Sequence, residues 1–359
     1  MDIHQLKVKD VIKQTSDAVT IKFSKPDESW EYKSGQFLTL VTKIGGEEIR
    51  RAYSLCSSPD IDDYLAVTAK KIDGGKMSRF LVDHLRVGGE LGVMKPMGNF
   101  IFDPHPTGQR HIVLIGAGSG ITPLISMIKT ALYKEKQSVL SLVYANSTDQ
   151  DIIFKSKLDE LLQEFKDRFR VYHYLSSAKK SVDKKGFLGL GKKVVLKEQG
   201  RLDSQKLNAI LDGLYIQEET DYTEYYLCGP EGLMDIAEAC LTNRNVNPKQ
   251  IFKESFFIAA PVTEEPEIDG PKKVNVVLNG DTYQITVKDD PILTAALENG
   301  LDAPYSCQSG LCTACMAKCK TGEVKMEFDD ALTEDQIKEG YVLTCIGYPM
   351  SDDVTIEYE

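Results

Sequence analysis

Four cysteines near the C-terminus carry the most specific chemistry in this chain. Cys307, Cys312 and Cys315 lie in the run Pro304-Tyr305-Ser306-Cys307-Gln308-Ser309-Gly310-Leu311-Cys312-Thr313-Ala314-Cys315, and Cys345 follows after 29 intervening residues. The spacing C-x4-C-x2-C…C is that of thiolates holding a [2Fe–2S] cluster. Two irons and two sulfides need four thiolates from two directions. A tight loop supplies three and a distant segment supplies one. Gly310 lets the loop wrap closely, because it has no Cβ. Ser306 and the loop amides can aim donors at the sulfurs and tune the potential. Zinc usually takes paired C-x2–4-C or Cys/His knuckles; one C-x2-C exists here, with no His near it. Disulfides fit badly where no secretory signal is evident. A cluster of this type moves one electron at a time, so the chain reads as an electron carrier.

Three upstream segments could bind nucleotides. Gly116-Ala117-Gly118-Ser119-Gly120-Ile121-Thr122-Pro123 follows an apolar run and opens a helical pattern. In that context Gly116, Gly118 and Gly120 let the backbone approach a pyrophosphate, and helix-start amides bind it. A tight structural turn is the competing reading. Tyr226-Leu227-Cys228-Gly229-Pro230 is a second strand-to-helix junction, and ligands bind at the carboxyl edge of such sheets. Cys228 could equally be a buried strand-end thiol. In Arg51-Ala52-Tyr53-Ser54 the arginine can grip a phosphate, the tyrosine can stack on a flat ring and the serine can hydrogen-bond it. Gly74-Gly75-Lys76-Met77-Ser78 precedes a short helix and can offer amides and a hydroxyl to a diphosphate. Alone, each of the last two is weak.

The elements that must position these residues change character along the chain. The first ~105 residues carry short strands such as Val19–Phe23, Phe37–Val41 and Leu65–Ala69, with a helix expected from Ser78 to Leu85; this predicts an antiparallel β-barrel. After the turn-rich Asp103-Pro104-His105-Pro106-Thr107-Gly108, strands (111–115, 139–144, 169–175, 225–228) alternate with helices (121–134, 155–165), as in an α/β Rossmann-like domain. Lys179–Gly200 reads as a surface loop insertion. Pro261–Pro271 reads as a semi-extended linker. A hairpin around Asn279-Gly280 then opens the cluster domain. The expected domains are 1–105, 106–260 and 272–359, with the linker at 261–271.

At 359 residues and 42% hydrophobic content the chain can bury ordinary cores. No apolar run approaches the ~20 residues of a membrane span, and the N-terminus has no apolar signal region. Eight cysteines, four assigned to a cluster, suit a reducing cytoplasm. The net charge is −11, and residues 271–359 hold 16 acidic against 7 basic side chains. A strongly acidic end argues against nucleic acid. It suits either docking on a basic protein partner or plain solubility.

With these motifs in this order, essentially the whole chain resembles the ferredoxin–NADP reductase superfamily fused to a C-terminal plant-type ferredoxin. Within that group it is similar to the reductases of phenylacetyl-CoA epoxidase and related oxygenases. The resemblance implies a β-grasp fold for the cluster domain. It implies that Tyr53 stacks on the isoalloxazine of FAD, Ser54 lies near its reactive nitrogen, and Arg51 binds its phosphates. Gly75, Lys76, Met77 and Ser78 would form the second flavin phosphate segment. Gly116, Gly118, Gly120 and Thr122 would hold NAD(P)H. Cys228-Gly229-Pro230 would set Cys228 beside the nicotinamide, making Tyr53, Ser54 and Cys228 the expected catalytic residues. Glu254 and Phe256, in Phe252–Phe256, resemble the strand that ends the nucleotide domain near the flavin. Gln308 stands where relatives often carry arginine, and Cys319 is extra and reads as structural. FMN is not excluded by the residues alone. The nicotinamide phosphate choice stays open: Ser147, Thr148, Lys155 or Arg201 can meet a 2′-phosphate, while Asp149 and Asp151 repel it.

The implied circuit runs from NAD(P)H through FAD and the [2Fe–2S] cluster to an oxygenase component, of the phenylacetyl-CoA epoxidase di-iron type. Alternative acceptors are a desaturase or a hybrid-cluster protein. A redox-sensing flavo-iron–sulfur protein is the reading from another class.

Overall fold

The structure is a computed structural model that describes residues 3–24, 26, 30–177, 195–217, 222–256, 268–329 and 331–358. Most of the expected loop 179–200 and most of the expected linker 261–271 lie outside the described residues.

The N-terminal region is a curled antiparallel sheet. Its strands are β1 (His4–Lys13), β2 (Ala18–Phe23), β3 (Phe37–Ile44), β4 (Glu47–Ser54), β5 (Leu65–Lys70) and β6 (Glu90–Val93), in the order β4-β3-β6-β1-β2-β5. Leu55, just past one edge strand, bridges Val67 on the other edge strand, so the sheet curls back on itself. Alternating residues such as Leu38, Leu40, Ile21, Phe23 and Val67 fill the interior. The expected helix at 78–85 is a four-residue α-helix, α1 (Lys76–Arg79), that widens into a π-helical turn at Phe80–His84.

The second region is a six-stranded parallel sheet. It comprises β7 (His111–Ala117), β8 (Val139–Asn146), β9 (Phe169–Leu175), β10 (Val195–Gln199), β11 (Thr223–Gly229) and β12 (Ile251–Ser255), in the order β10-β9-β8-β7-β11-β12. Helices α2 (Ile121–Lys134), α3 (Lys155–Glu164), α4 (Ser204–Gln217) and α5 (Glu231–Thr242) connect them. The order reverses between β7 and β11, and that switch point opens a ligand crevice at the carboxyl ends of the strands. Val195–Gln199, read from sequence as part of a loop, is instead the edge strand β10, paired in parallel with β9. Its sequence, Val-Leu-Lys-Glu-Gln, has little strand pattern of its own; the ladder of β9 recruits it.

The third region is a mixed sheet built from β13 (Lys272–Leu278), β14 (Asp281–Val287), β15 (Met316–Thr321), β17 (Tyr341–Leu343) and β19 (Val354–Glu357), in the order β14-β13-β19-β15-β17. The short strands β16 (Val324–Met326) and β18 (Gly347–Pro349) form a separate antiparallel pair. Helix α6 (Ile292–Glu298) buries Ile292, Leu293, Ala295 and Ala296 in the core of this region. β13 pairs antiparallel with β14 and parallel with β19, the strand arrangement of a β-grasp. Asn279 and Gly280 both take positive φ, 54° and 87°, as a two-residue hairpin turn requires.

The barrel and the parallel sheet share an apolar core in which Ala66, Phe100 and Phe102 join Leu124, Met127 and Ile128, and buried polar contacts cross the same junction. Ser34 and Ser58 each share a hydrogen bond with Thr130 on α2, and Ser126 donates to Ser57 O. Lys129 pairs with Asp62 across the same junction. Behind them, buried Arg110 forks onto Glu135 and also meets Glu224. Removing one member of a buried ion network strands the others without a partner. Arg110→Met is therefore expected to lower stability by about 3–5 kcal/mol, read as a fall in the denaturation midpoint.

Candidate active site

The glycine loop lies where the sequence pattern predicts. β7 ends at Ala117, a tight 3₁₀ turn spans Gly118–Gly120, and α2 begins at Ile121. A Cβ on Gly120 would sit 2.0 Å from the carbonyl oxygen of Cys228, so only glycine allows the two strand ends to meet. Gly118 takes φ +52°, a Cβ there would meet open space, and its carbonyl accepts from the Tyr144 hydroxyl at 2.9 Å. Thr122 is buried and donates its hydroxyl to Ser119 O at 2.9 Å, so its side chain braces the turn.

Register then does what spacing could not show. Cys228 on β11 pairs with Gly116 on β7 and with Glu254 on β12. Three residues from distant segments thus form one line across the carboxyl edge. Glu254 accepts a hydrogen bond from Ser54 Oγ at 3.2 Å, reaching from the parallel sheet to β4 of the barrel. Glu254 is only partly covered, but its carboxyl is desolvated, which pushes its pKa up to about 8. The Cys228 thiol is fully buried and is pushed well above its ordinary value by burial and by Glu254; it is a neutral group and no nucleophile at physiological pH.

On β4, Tyr53 packs against the barrel core and Arg51 is exposed. Burial raises the Tyr53 hydroxyl above its usual range. The segment from Gly74 to Ser78 is tied to β4 by the Lys76–Glu47 ion pair at 2.5 Å. Met77 buries its side chain in the barrel core, so it can offer a ligand only its backbone. The buried Ser78 hydroxyl accepts from Ile72 N–H and donates to Gly75 O, which shapes the turn. Pro230 caps the start of α5.

Asn146, at the carboxyl end of β8, buries both side-chain amide atoms without a hydrogen-bond partner. At the ligand edge of a nucleotide sheet such an amide is open to a ligand or to water. Sequence reading passes over it in favour of its neighbours. Two of those are engaged elsewhere: Thr148 gives both its N–H and its hydroxyl to Asp151, and Lys155 pairs with Asp149.

The cysteines converge. The sulfurs of Cys307 and Cys312 lie 3.1 Å apart, and Gly310 N–H donates to Cys345 Sγ at 3.3 Å. Donation from the Cys312 and Cys345 thiols holds Cys307 far below its ordinary value, while Cys312 and Cys345 are pushed up. Thiols this close share protons, and a cationic group would replace those protons. Among the described residues no three His, Cys, Asp or Glu side chains are arranged around a single ion. A two-iron cluster with two thiolates per iron needs no such trio. A Cβ on Gly310 would lie 2.6 Å from Ile346 and Phe328, so the loop wraps as tightly as its sequence suggests. Cys319 points its thiol to Thr321 O, outside this group.

Three family models match the chain: an oxidoreductase FAD-binding domain over residues 4–102, an oxidoreductase NAD-binding domain over 114–239, and a 2Fe-2S iron-sulfur cluster binding domain over 276–350. The chain is 35% identical over 364 residues to a subunit of 1,2-phenylacetyl-CoA epoxidase from Escherichia coli K12, covering 99% of this chain and 98% of that protein. It belongs to the flavin- and [2Fe–2S]-containing reductase components of oxygenases. A second relative, the ferredoxin reductase component of 3-ketosteroid-9-alpha-monooxygenase from Mycobacterium tuberculosis, is 33% identical over 375 residues, covering 99% of this chain and 96% of that one. Among solved structures, phthalate dioxygenase reductase shares the fold at a TM-score of 0.60 and 22% identity, over 99% of this chain and 98% of that chain. The reductase is an NAD(P)H-dependent oxidoreductase whose cofactors are FAD and a [2Fe–2S] cluster. Its acceptor is an oxygenase component. Among the described residues no helix is long and apolar enough to cross a membrane.

Two expectations follow from the site. Gly120→Ala forces the Cys228 carbonyl to move, at a cost of roughly 1–3 kcal/mol; thermal melting should fall and the KM for the nicotinamide should rise. Glu254 keeps its proton in the folded chain up to about pH 8, while the unfolded chain releases it at the ordinary carboxylate pH. Unfolding therefore releases a proton in that window, and stability contributed by this group falls as pH rises through it. Glu254→Gln should flatten that fall, seen as a higher melting temperature than the wild type at pH 9 and little difference at pH 4.

Proposed function

We propose that this reductase serves a di-iron oxygenase that acts on a CoA-linked aromatic acid, of the phenylacetyl-CoA epoxidase type. The observation that carries this reading is the 35% identity, along nearly the full length of both chains, to a component of that epoxidase.

FAD, when bound, accepts two electrons as a hydride and releases them singly. The residues of the chain hold and orient the groups around that chemistry. Arg51 and the amides of Lys76, Met77 and Ser78 would bind the flavin diphosphate, with Gly75, whose own N–H donates to Ile72 O, opening that turn; Tyr53 would cover one face of the flavin ring. Gly116, Gly118 and Gly120 admit the nicotinamide pyrophosphate to the backbone. Cys228, with Gly229 and Pro230, forms an uncharged wall beside the nicotinamide. Ser54 and Glu254 hold a proton at the cleft floor, since a carboxyl with a pKa of about 8 is mostly protonated at neutral pH. Cys307, Cys312, Cys315 and Cys345 hold the cluster. The acidic C-terminal region, with 16 acidic and 7 basic residues, favours docking on a basic patch of the oxygenase. The free thiols suit a reducing, cytoplasmic setting.

The test mixes purified holo-reductase with a purified phenylacetyl-CoA oxygenase component, phenylacetyl-CoA and either nicotinamide. The expected result is nicotinamide oxidation that depends on the CoA ester and matches product formed. Reduction of cytochrome c without any coupled turnover of this oxygenase would leave a reductase and remove its assigned acceptor.

A further inference from the structure

The β3–β4 ribbon presents different neighbours on its two faces. Side chains alternate along each strand, and the pairing is Leu38 with Tyr53, Leu40 with Arg51, Thr39 with Ala52 and Val41 with Arg50. One face therefore carries Arg51 and Tyr53. The other carries Thr39, Arg50 and Ala52, and the cluster loop packs on it. Phe37, Ala52 and Met97 meet Cys307, Cys312 and Ala314 in a small apolar cluster.

Apolar contact is non-directional and does not set an orientation. Two directional contacts flank it. Thr39 Oγ1 donates to Ser306 Oγ at 2.9 Å, and both residues are at most 1% exposed. The Arg50 guanidinium lies 4.3 Å from the ring centroid of Tyr305, with Glu48 2.9 Å away and the Arg50 side chain only 11% exposed. Tyr305 and Ser306 are the two residues that precede Cys307. Both contacts thus grip the arm of the loop that leads into the first cluster ligand.

We propose that the Thr39–Ser306 and Arg50–Tyr305 contacts are positioning contacts for internal electron transfer, and that they hold the cluster loop on the ribbon face opposite Arg51 and Tyr53. The step they serve forms and breaks no covalent bond: the reduced flavin loses one electron and the cluster gains it. The inference rests on the reading that places flavin at Arg51 and Tyr53. A desolvated cation over a ring and a buried hydroxyl pair both lose their favourable geometry if the loop tilts.

The test uses holo-protein and the variant Thr39→Val/Tyr305→Leu, with Thr39→Ser and Tyr305→Phe as conservative controls. Reduced nicotinamide is mixed anaerobically while flavin and cluster absorbance are followed separately. Flavin bleaching should keep its rate, and cluster reduction should slow by about tenfold to a hundredfold. Hydrogen exchange in the 303–316 peptide should quicken in the double variant, independently of turnover. Both controls should stay near the wild type. Wild-type cluster reduction and unchanged exchange in the double variant would overturn the proposal. Arg50→Met, on the barrel side and away from the cysteines, repeats the test if Tyr305→Leu costs the protein its cluster. A wild type whose flavin is never reduced would instead overturn the flavin assignment beneath it.

Discussion

The register of three parallel strands is the constraint on which the site depends. β7, β11 and β12 pair so that Gly116, Cys228 and Glu254 fall in one row. That row exists only because Gly120 lacks a Cβ and lets the carbonyl of Cys228 close on the loop. A shift by one residue would turn Cys228 and Glu254 to the opposite face of the sheet. Ser54 would then have no carboxylate to meet, and the barrel would lose its bond to the strand beside the switch point.

Charge and solvation follow from that geometry. The row lies at the junction of barrel and nucleotide domain, where protein replaces water. An acid there keeps its proton and a thiol stays neutral. The cleft beside it, about 560 Å³, is lined by Glu254 and Phe252 together with Gly310, Leu311 and Cys312 of the cluster loop. The end of β12 and the cysteine loop are thus neighbours in space, while their residues are far apart in the chain.

Much of the fold was legible in the sequence. The boundaries of α2 and β9 coincide with the apolar patterns that announce them. Asn279-Gly280 turns where that dipeptide must. What escaped was whatever depended on a partner: β10 is a strand because β9 offers a ladder, and the α1 helix widens into a π turn over the barrel core. In the site, Thr122, Met77 and Ser78 lie in the expected segments, but their side chains brace turns or fill the core. Motif spacing locates a segment and says nothing of which way each side chain points. Asn146 escaped because an orphaned amide is visible only once its surroundings are known.

The sequence by itself determined the cluster. The C-x4-C-x2-C spacing of one tight loop writes that chemistry directly into Cys307, Cys312 and Cys315, with Cys345 added from a distant segment. It also determined the glycine loop and the order of the three regions, because these rest on local backbone rules. Only the tertiary structure decided that Ser54 meets Glu254, 200 residues away, and that Thr39 meets Ser306, 267 residues away. Neither pair has a local signature. Each is set by strand register and by the packing of one region on another, and those are properties of the whole folded chain.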